Sequence, residues 1–282
     1  AMERSLDQLK NLQIDYQCPI LIAGDVFDAG WQAHKCPPEL VNWLISQLPE
    51  KCYAVPGQHD LPHHRYEDVA KSAYWTLVAA GKIIDLPPWS PIEVSTVGGR
   101  VLRLHGVPWG SIIRPIKDSN GLCIEIAVVH QYLWVKGSSY PDAPKEQWLG
   151  NVKKQLKGYD VCVFGDNHIP FDFVTDVTRV CNCGSFMQRH LGDRYYRPSV
   201  GLLHPNLTVT RHYLDISKDV FNDTPRERKE TSIIDPSELI GELKNLGDKV
   251  LDFTEALERL HASGQIEDDV WQIILTALET ST

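Results

Sequence analysis

Four times within its first 170 residues the chain drives a short apolar run into a turn rich in Gly, Asp, Gln or His. That repeated junction constrains the fold more than any other feature. The runs are Ile20-Leu21-Ile22-Ala23, Cys52-Tyr53-Ala54-Val55, Ile126-Ala127-Val128-Val129 and Val161-Cys162-Val163-Phe164. Each has the length of one buried strand and is too short for a stable helix. The segments that follow are Gly24-Asp25-Val26-Phe27-Asp28, Gly57-Gln58-His59-Asp60, His130-Gln131 and Gly165-Asp166-Asn167-His168. In an α/β sheet, segments leaving the carboxyl ends of the strands gather on one rim, so residues far apart in sequence can meet there.

Between the strands the pattern is helical. Leu6, Leu9 and Leu12 recur three apart within residues 3–15, and Pro37-Pro38 opens a second helix running to about residue 48. Residues 66–81 and 146–156 read as two more helices, and strands are predicted at 101–104, 125–129, 160–164, 179–183, 199–203 and 207–214. Alternating strands and helices followed by a run of strands predict an α/β layered core with sheet packed on sheet. Residues 1–216 form that core, and the polar stretch 217–231, with its charge run 226–230, reads as a solvated linker. A helical region is predicted at 232–282: Asp235 caps it, Pro236 takes the first helical position, and Leu239, Leu243 and Leu246 line one face.

Composition narrows the function classes. No apolar run approaches the roughly 20 residues that span a bilayer, and no secretory leader opens the chain, so a soluble protein without a membrane partner is expected. Seven cysteines, odd in number and several inside strand-like runs, point to free thiols in a reducing compartment, the cytoplasm or nucleoid. Cys181-x-Cys183 lacks the second ligand pair that a structural zinc needs. A net charge of -9 argues weakly against a protein that coats nucleic acid and is neutral on an enzyme that cuts it.

The strand-end residues carry the chemistry. Asp25, Gln58, His130, Asp166 and His168 offer carboxylate, amide and imidazole donors, the set that binds divalent metals acting on phosphate esters. Asp25 would bridge two ions. Asp166 and His168, two apart in an extended segment, would face the same side. His59 is placed to protonate or stabilise the leaving oxygen with Asp60 orienting it, and Asp28 to hold neighbouring backbone or a group behind the metal ligands. Two metals would clamp the phosphate and lower the pKa of a bridging water. Taken singly, Gly-Asp is a common turn, His130 a common structural residue and 57–60 an ordinary polar loop. In this order, each after a strand, they form one constellation. His63, His64 and Arg65 would either touch a phosphate backbone or belong to a solvated loop; Tyr132 and Trp134 would either stack on an unpaired base or pack.

Gly24-Asp25-x-x-Asp28, Gly57-Gln58-His59-Asp60, His130 and Gly165-Asp166-x-His168 resemble the ordered motifs of the calcineurin-like metallophosphoesterases, D-x-H, G-D-x-x-D, G-N-H-D, H and G-H-x-H. Within that superfamily the chain looks most like the nuclease subunit of SbcC–SbcD-type complexes of double-strand-break repair. The "VVHQ" around His130 and the "CNCGSFMQRH" segment support the likeness, the latter resembling that family's Asn-Pro-Gly-Ser segment. The resemblance covers roughly residues 1–215. It implies a four-layer β-sandwich flanked by helices and two divalent ions, most simply Mn2+, with Mg2+, Fe2+ and Zn2+ as alternatives. It further implies DNA as substrate, an SbcC-like coiled-coil ATPase held by the C-terminal helices, and room for a homodimer. There are three departures. D-x-H would stand before residue 1, so one metal site would keep only Asp25 and His168; Gln58 replaces Asn; and Asp166 replaces the first His of the last motif, which favours harder metals. A phosphoesterase acting on a small phosphodiester or phosphoprotein, and a degenerate subunit used for binding or assembly, are the competing readings.

Overall fold

A computed structural model describes residues 1–28, 35–117, 121–140, 143–188 and 195–219. The predicted linker beyond residue 219 and the predicted helices of 232–282 lie outside the described residues. Along the chain come α1 (Met2–Tyr16), β1 (Ile20–Ala23), α2 (Pro38–Gln47), β2 (Cys52–Val55), α3 (Ala73–Ala79), β3 (Ile83–Asp85), β4 (Ile92–Ser95), β5 (Val101–Val107) and β6 (Cys123–Val129). They are followed by α4 (Leu149–Val152), β7 (Val161–Phe164), β8 (Phe171–Val174), β9 (Arg179–Asn182), β10 (Ser199–Leu203) and β11 (Val209–Tyr213).

The strands form a parallel three-stranded sheet, β1-β2-β3, a six-stranded sheet, β4-β5-β6-β7-β9-β8, and the β10-β11 hairpin. In the larger sheet β5, β6, β7 and β9 are parallel, with antiparallel β4 and β8 at its edges. Period-two alternation divides their side chains between layers. Tyr53 and Val55 of β2 pack with Leu104, Ile126, Val128, Val161 and Cys181 between the two sheets. Cys52 and Ala54 face the other way, onto Leu6, Val41, Leu44, Tyr74 and Leu77 of α1–α3. On the outer face of the larger sheet, Ala127, Val129, Cys162 and Phe164 meet Leu149, Val152 and Leu156. Helix, sheet, sheet and helix are thus stacked in four layers, as the resemblance implies. Each buried Leu, Ile, Val or Phe contributes roughly 1.5–3 kcal/mol, so the three clusters account for the compactness of this core.

Two helices are shorter than their apolar patterns suggest. The predicted 66–81 segment is a 3-10 turn over Tyr66–Lys71 and then α3, because the Ser72 hydroxyl accepts the Trp75 N–H (3.2 Å) and starts a new helix. Over 146–156 only α4 is α-helical. Here the Pro144 carbonyl accepts the Trp134 indole N–H at 2.8 Å, and Trp134 and Trp148 pair as a β-bridge, so tertiary contacts set the backbone in place of helix propensity. No described helix is long and apolar enough to cross a membrane.

Candidate metal centre

Parallel pairing puts the carboxyl ends of β1, β2, β6 and β7 on one rim, and each delivers a donor there. Ligand atoms of Asp25, His130 and Asp166 lie within 4.8 Å of one another, a group able to hold a metal ion. Both carboxylates sit on left-handed backbone, φ 53° at Asp25 and 70° at Asp166. For residues other than Gly this region is uncommon, and such strain concentrates at functional sites. The approach is close enough to demand glycine on both sides. A β-carbon on Gly24 (φ 89°) would overlap the His130 imidazole, and one on Gly57 would run into the Asp25 carboxylate.

Gln58 ties the group together. Its Nε2 donates to Asp166 Oδ1 at 3.0 Å, while its Oε1 lies 2.5 Å from His130 Nε2. The other ring nitrogen, Nδ1, lies 2.6 Å from the Ala23 carbonyl. A carbonyl can only accept, so Nδ1 carries a proton, and neutral His130 would aim the lone pair of Nε2 at Gln58 Oε1 and at Asp25 Oδ2, 3.4 Å away. Lone pairs directed at each other need a cation between them, either a proton or a metal. The electrostatic surroundings agree. Burial lowers the imidazolium pKa, but the hydrogen bond and charge of Asp25, the Ala23 carbonyl and Asp166 outweigh it and leave His130 raised. At Asp25 burial is likewise outweighed, by His130 and the His59 backbone N–H, and its carboxyl is lowered. Imidazole, amide oxygen and two carboxylates around one cation-seeking point fit a divalent metal, with the His130 Nδ1–H held by a carbonyl as metal-bound His usually is.

His168 stands apart. Its side chain is exposed and does not join the ligand group. The expectation that Asp166 and His168 face one side assumed extended backbone, and the left-handed turn at Asp166 breaks that period.

Asp60 also departs from its expected role. It is 1% exposed and its carboxylate accepts the backbone N–H groups of Val26 (3.1 Å), Phe27 (2.9 Å) and Gly57 (3.0 Å). Burial, reinforced by the charge of Asp25, pushes its carboxyl up to about 7 against those three donors. Asp60 therefore clamps the loop after β1 to the loop after β2 instead of orienting His59. The carboxylate beside His59 is Asp28, whose Oδ1 is 3.7 Å from Nδ1. Replacing Asp60 with Ala strands two buried N–H groups and one half-buried N–H group and should cost on the order of 3 kcal/mol. The check is urea unfolding, where the midpoint should fall with little change in slope. A loss under about 0.5 kcal/mol, the size of an ordinary surface change, would mean the clamp is not needed.

His59 belongs to the same loop, and its ring Nδ1 is buried without a hydrogen-bond partner. Its backbone N–H donates to Asp25 Oδ1 at 2.9 Å, fixing the loop to the first ligand. His64 lies edge-on to its ring at 6.4 Å, His63 is exposed, and Arg65 is exposed with Glu67 3.8 Å away. Neither His63 nor Arg65 joins the ligand group. Two residues matter more than their sequence context suggests. Asn167, buried, donates to the Leu133 and Ser138 carbonyls (both 2.8 Å) and receives Ile169 N–H, so it holds the turn after Asp166. Trp109 meets the His130 ring edge-on, with ring centroids 6.4 Å apart. No local signal marks Trp109; Asn167 is visible only as one more polar residue in a turn.

Among curated proteins none matches the chain. Among solved structures, an archaeal phosphodiesterase aligns over 74% of this chain and 92% of its own, at 14% identity and a TM-score of 0.39. A hypothetical protein from Pyrococcus horikoshii OT3 aligns over 97% and 91%, at 13% identity and 0.36. Likeness at that level says nothing about substrate. The sequence profile of the calcineurin-like phosphoesterases matches residues 5–170. That match takes in all four strand-end motifs and more than half of the chain, which therefore belongs to the calcineurin-like phosphoesterase family.

Proposed function

We propose that this phosphoesterase is a metal-dependent DNA nuclease subunit of the SbcC–SbcD type. The observation that carries the hydrolytic part is the convergence of Asp25, Gln58, His130 and Asp166 on one point, with His59 on the adjoining loop. A bound divalent metal would polarise the phosphate and lower the pKa of a coordinated water. Asp25, His130 and Asp166 would hold that ion, with Gln58 supplying an amide oxygen, and the hard oxygen donors favour manganese or magnesium. Within this reading His59 gives its proton to the departing oxygen, with the Asp28 carboxylate 3.7 Å from its ring. The DNA assignment is supported by the "VVHQ" and "CNCGSFMQRH" segments. The ATPase partner and its docking on 232–282 are part of the same proposal.

The family uses two metals, and His168 lies outside the ligand group, an observation that favours a reduced metal complement and hence a binding subunit as the second reading. Both are tested by metal stoichiometry together with cleavage of labelled DNA and of bis(p-nitrophenyl) phosphate in manganese. Cleavage of DNA supports the nuclease. Cleavage of the small diester alone moves the substrate to another phosphodiester. Metal-independent inertness towards both favours the binding subunit.

A further inference from the structure

Trp89 is a large side chain that the core does not account for. It follows β3, is 59% exposed, and has left-handed backbone at φ 61°. A bulky residue gains nothing locally from that conformation, and Gly or Asn would adopt it more readily. The Arg114 guanidinium lies 4.2 Å from the centre of its ring, a cation–π contact in which neither group is buried. Among the described residues no carboxylate lies within ion-pair distance of Arg114.

The pair is joined to the metal group by one pinned loop. After β5 the Trp109 N–H donates to the Pro56 carbonyl (3.2 Å), next to the Gly57-Gln58 turn, and its ring abuts His130. Gln131, beside His130, donates to the Ser111 carbonyl. Ile113 is buried, and the Tyr159 hydroxyl donates to the Arg114 carbonyl at 2.9 Å. On the other side Pro88 bridges to Gly106 of β5, which fixes Trp89 against the start of the same loop. Residues 109–114 therefore run from the metal group outwards, an indole at the inner end and a guanidinium on an indole at the outer end.

An exposed indole is a stacking platform for any nucleobase, and a guanidinium supplies forked donors for a phosphate. On a chain of net charge -9, a phosphate backbone must be met by local cations such as this one. We propose that Trp89 and Arg114 hold an unpaired nucleotide flanking the scissile phosphate, the base on the indole and the phosphate on the guanidinium. This rests on the DNA reading above.

The test compares the wild type with Trp89→Gly, Trp89→Phe and Arg114→Ala. Gly suits the left-handed backbone, so it removes the ring without straining the fold. Three quantities are read: single-strand DNA affinity in calcium, DNA cleavage in manganese, and turnover of bis(p-nitrophenyl) phosphate. Trp89→Gly is expected to weaken single-strand binding about tenfold and Trp89→Phe much less, as loss and retention of one stacked base would. Arg114→Ala should weaken binding and flatten the log–log salt dependence by about 0.7, one phosphate contact on a single strand. Turnover of the small diester should stay at the wild-type level in all three. If the wild type binds and cuts DNA but Trp89→Gly binds it equally well, the inference is overturned and the nuclease reading stands. If the wild type turns over the small diester but neither binds nor cuts DNA, both fall together.

Discussion

His130→Ala and Asp166→Gly should each weaken manganese binding by at least ~100-fold and abolish hydrolysis of any phosphodiester, since even groups that only orient metal ligands cost 10–100-fold. His130 is the stronger case. It is 1% exposed, its Nδ1 is committed to the Ala23 carbonyl, and its Nε2 faces Gln58 and Asp25. Because its folded-state pKa is raised, the metal-free imidazole binds a proton more tightly than a free His, and a metal must displace that proton. Affinity should therefore climb as pH rises through the imidazole's titration and level off above it. Calorimetry in buffers of different ionisation enthalpy would detect the released proton. Asp166→Gly guards against misfolding as the explanation, since Gly adopts the left-handed backbone of this half-buried position and circular dichroism should be unchanged. Wild-type metal affinity in both variants would reduce the group to a packing feature.

Much of this site is legible in sequence because strand ends carry it. The apolar runs 20–23 and 52–55 match β1 and β2 residue for residue, and β6 and β7 agree closely with the runs before His130 and Asp166. Once parallel strands are placed, the convergence of Asp25, Gln58, His130 and Asp166 needs only topology. What sequence could not supply is the direction of each side chain within its turn. An extended segment would bring Asp166 and His168 to one side, and the left-handed φ at Asp166 breaks that alternation, leaving His168 outside the ligand group. Asp60 and Asp28 exchange their expected parts for the same reason: the Gly57–Asp60 turn points the Asp60 carboxylate back at backbone N–H groups and leaves Asp28 to meet His59. Trp109 reaches His130 through tertiary packing of the loop after β5, which no local pattern encodes.

His59 should prove separable from metal binding. Its imidazole is outside the ligand group, though its backbone N–H donates to Asp25 Oδ1, so a side-chain change spares that bond. His59→Gln should keep the metal affinity of the wild type while kcat falls on the order of 10³-fold, within the 10²–10⁴ range of a lost proton donor. The deficit should depend on the leaving group. A strongly basic leaving oxygen, such as the deoxyribose alkoxide of DNA, needs the proton; p-nitrophenolate, a stable anion, leaves without it. Hydrolysis of bis(p-nitrophenyl) phosphate should then fall far less than cleavage of DNA or of an alkyl phosphodiester of similar size. Asp28→Asn provides the graded control. Asp28 Oδ1 is 3.7 Å from His59 Nδ1, and the amide of Asn keeps the shape of that neighbour while removing its negative charge. A smaller loss with the same leaving-group preference is expected. If His59→Gln slows both substrates equally, the imidazole acts on the phosphoryl group or on substrate position, and proton donation to the leaving oxygen must be assigned to water.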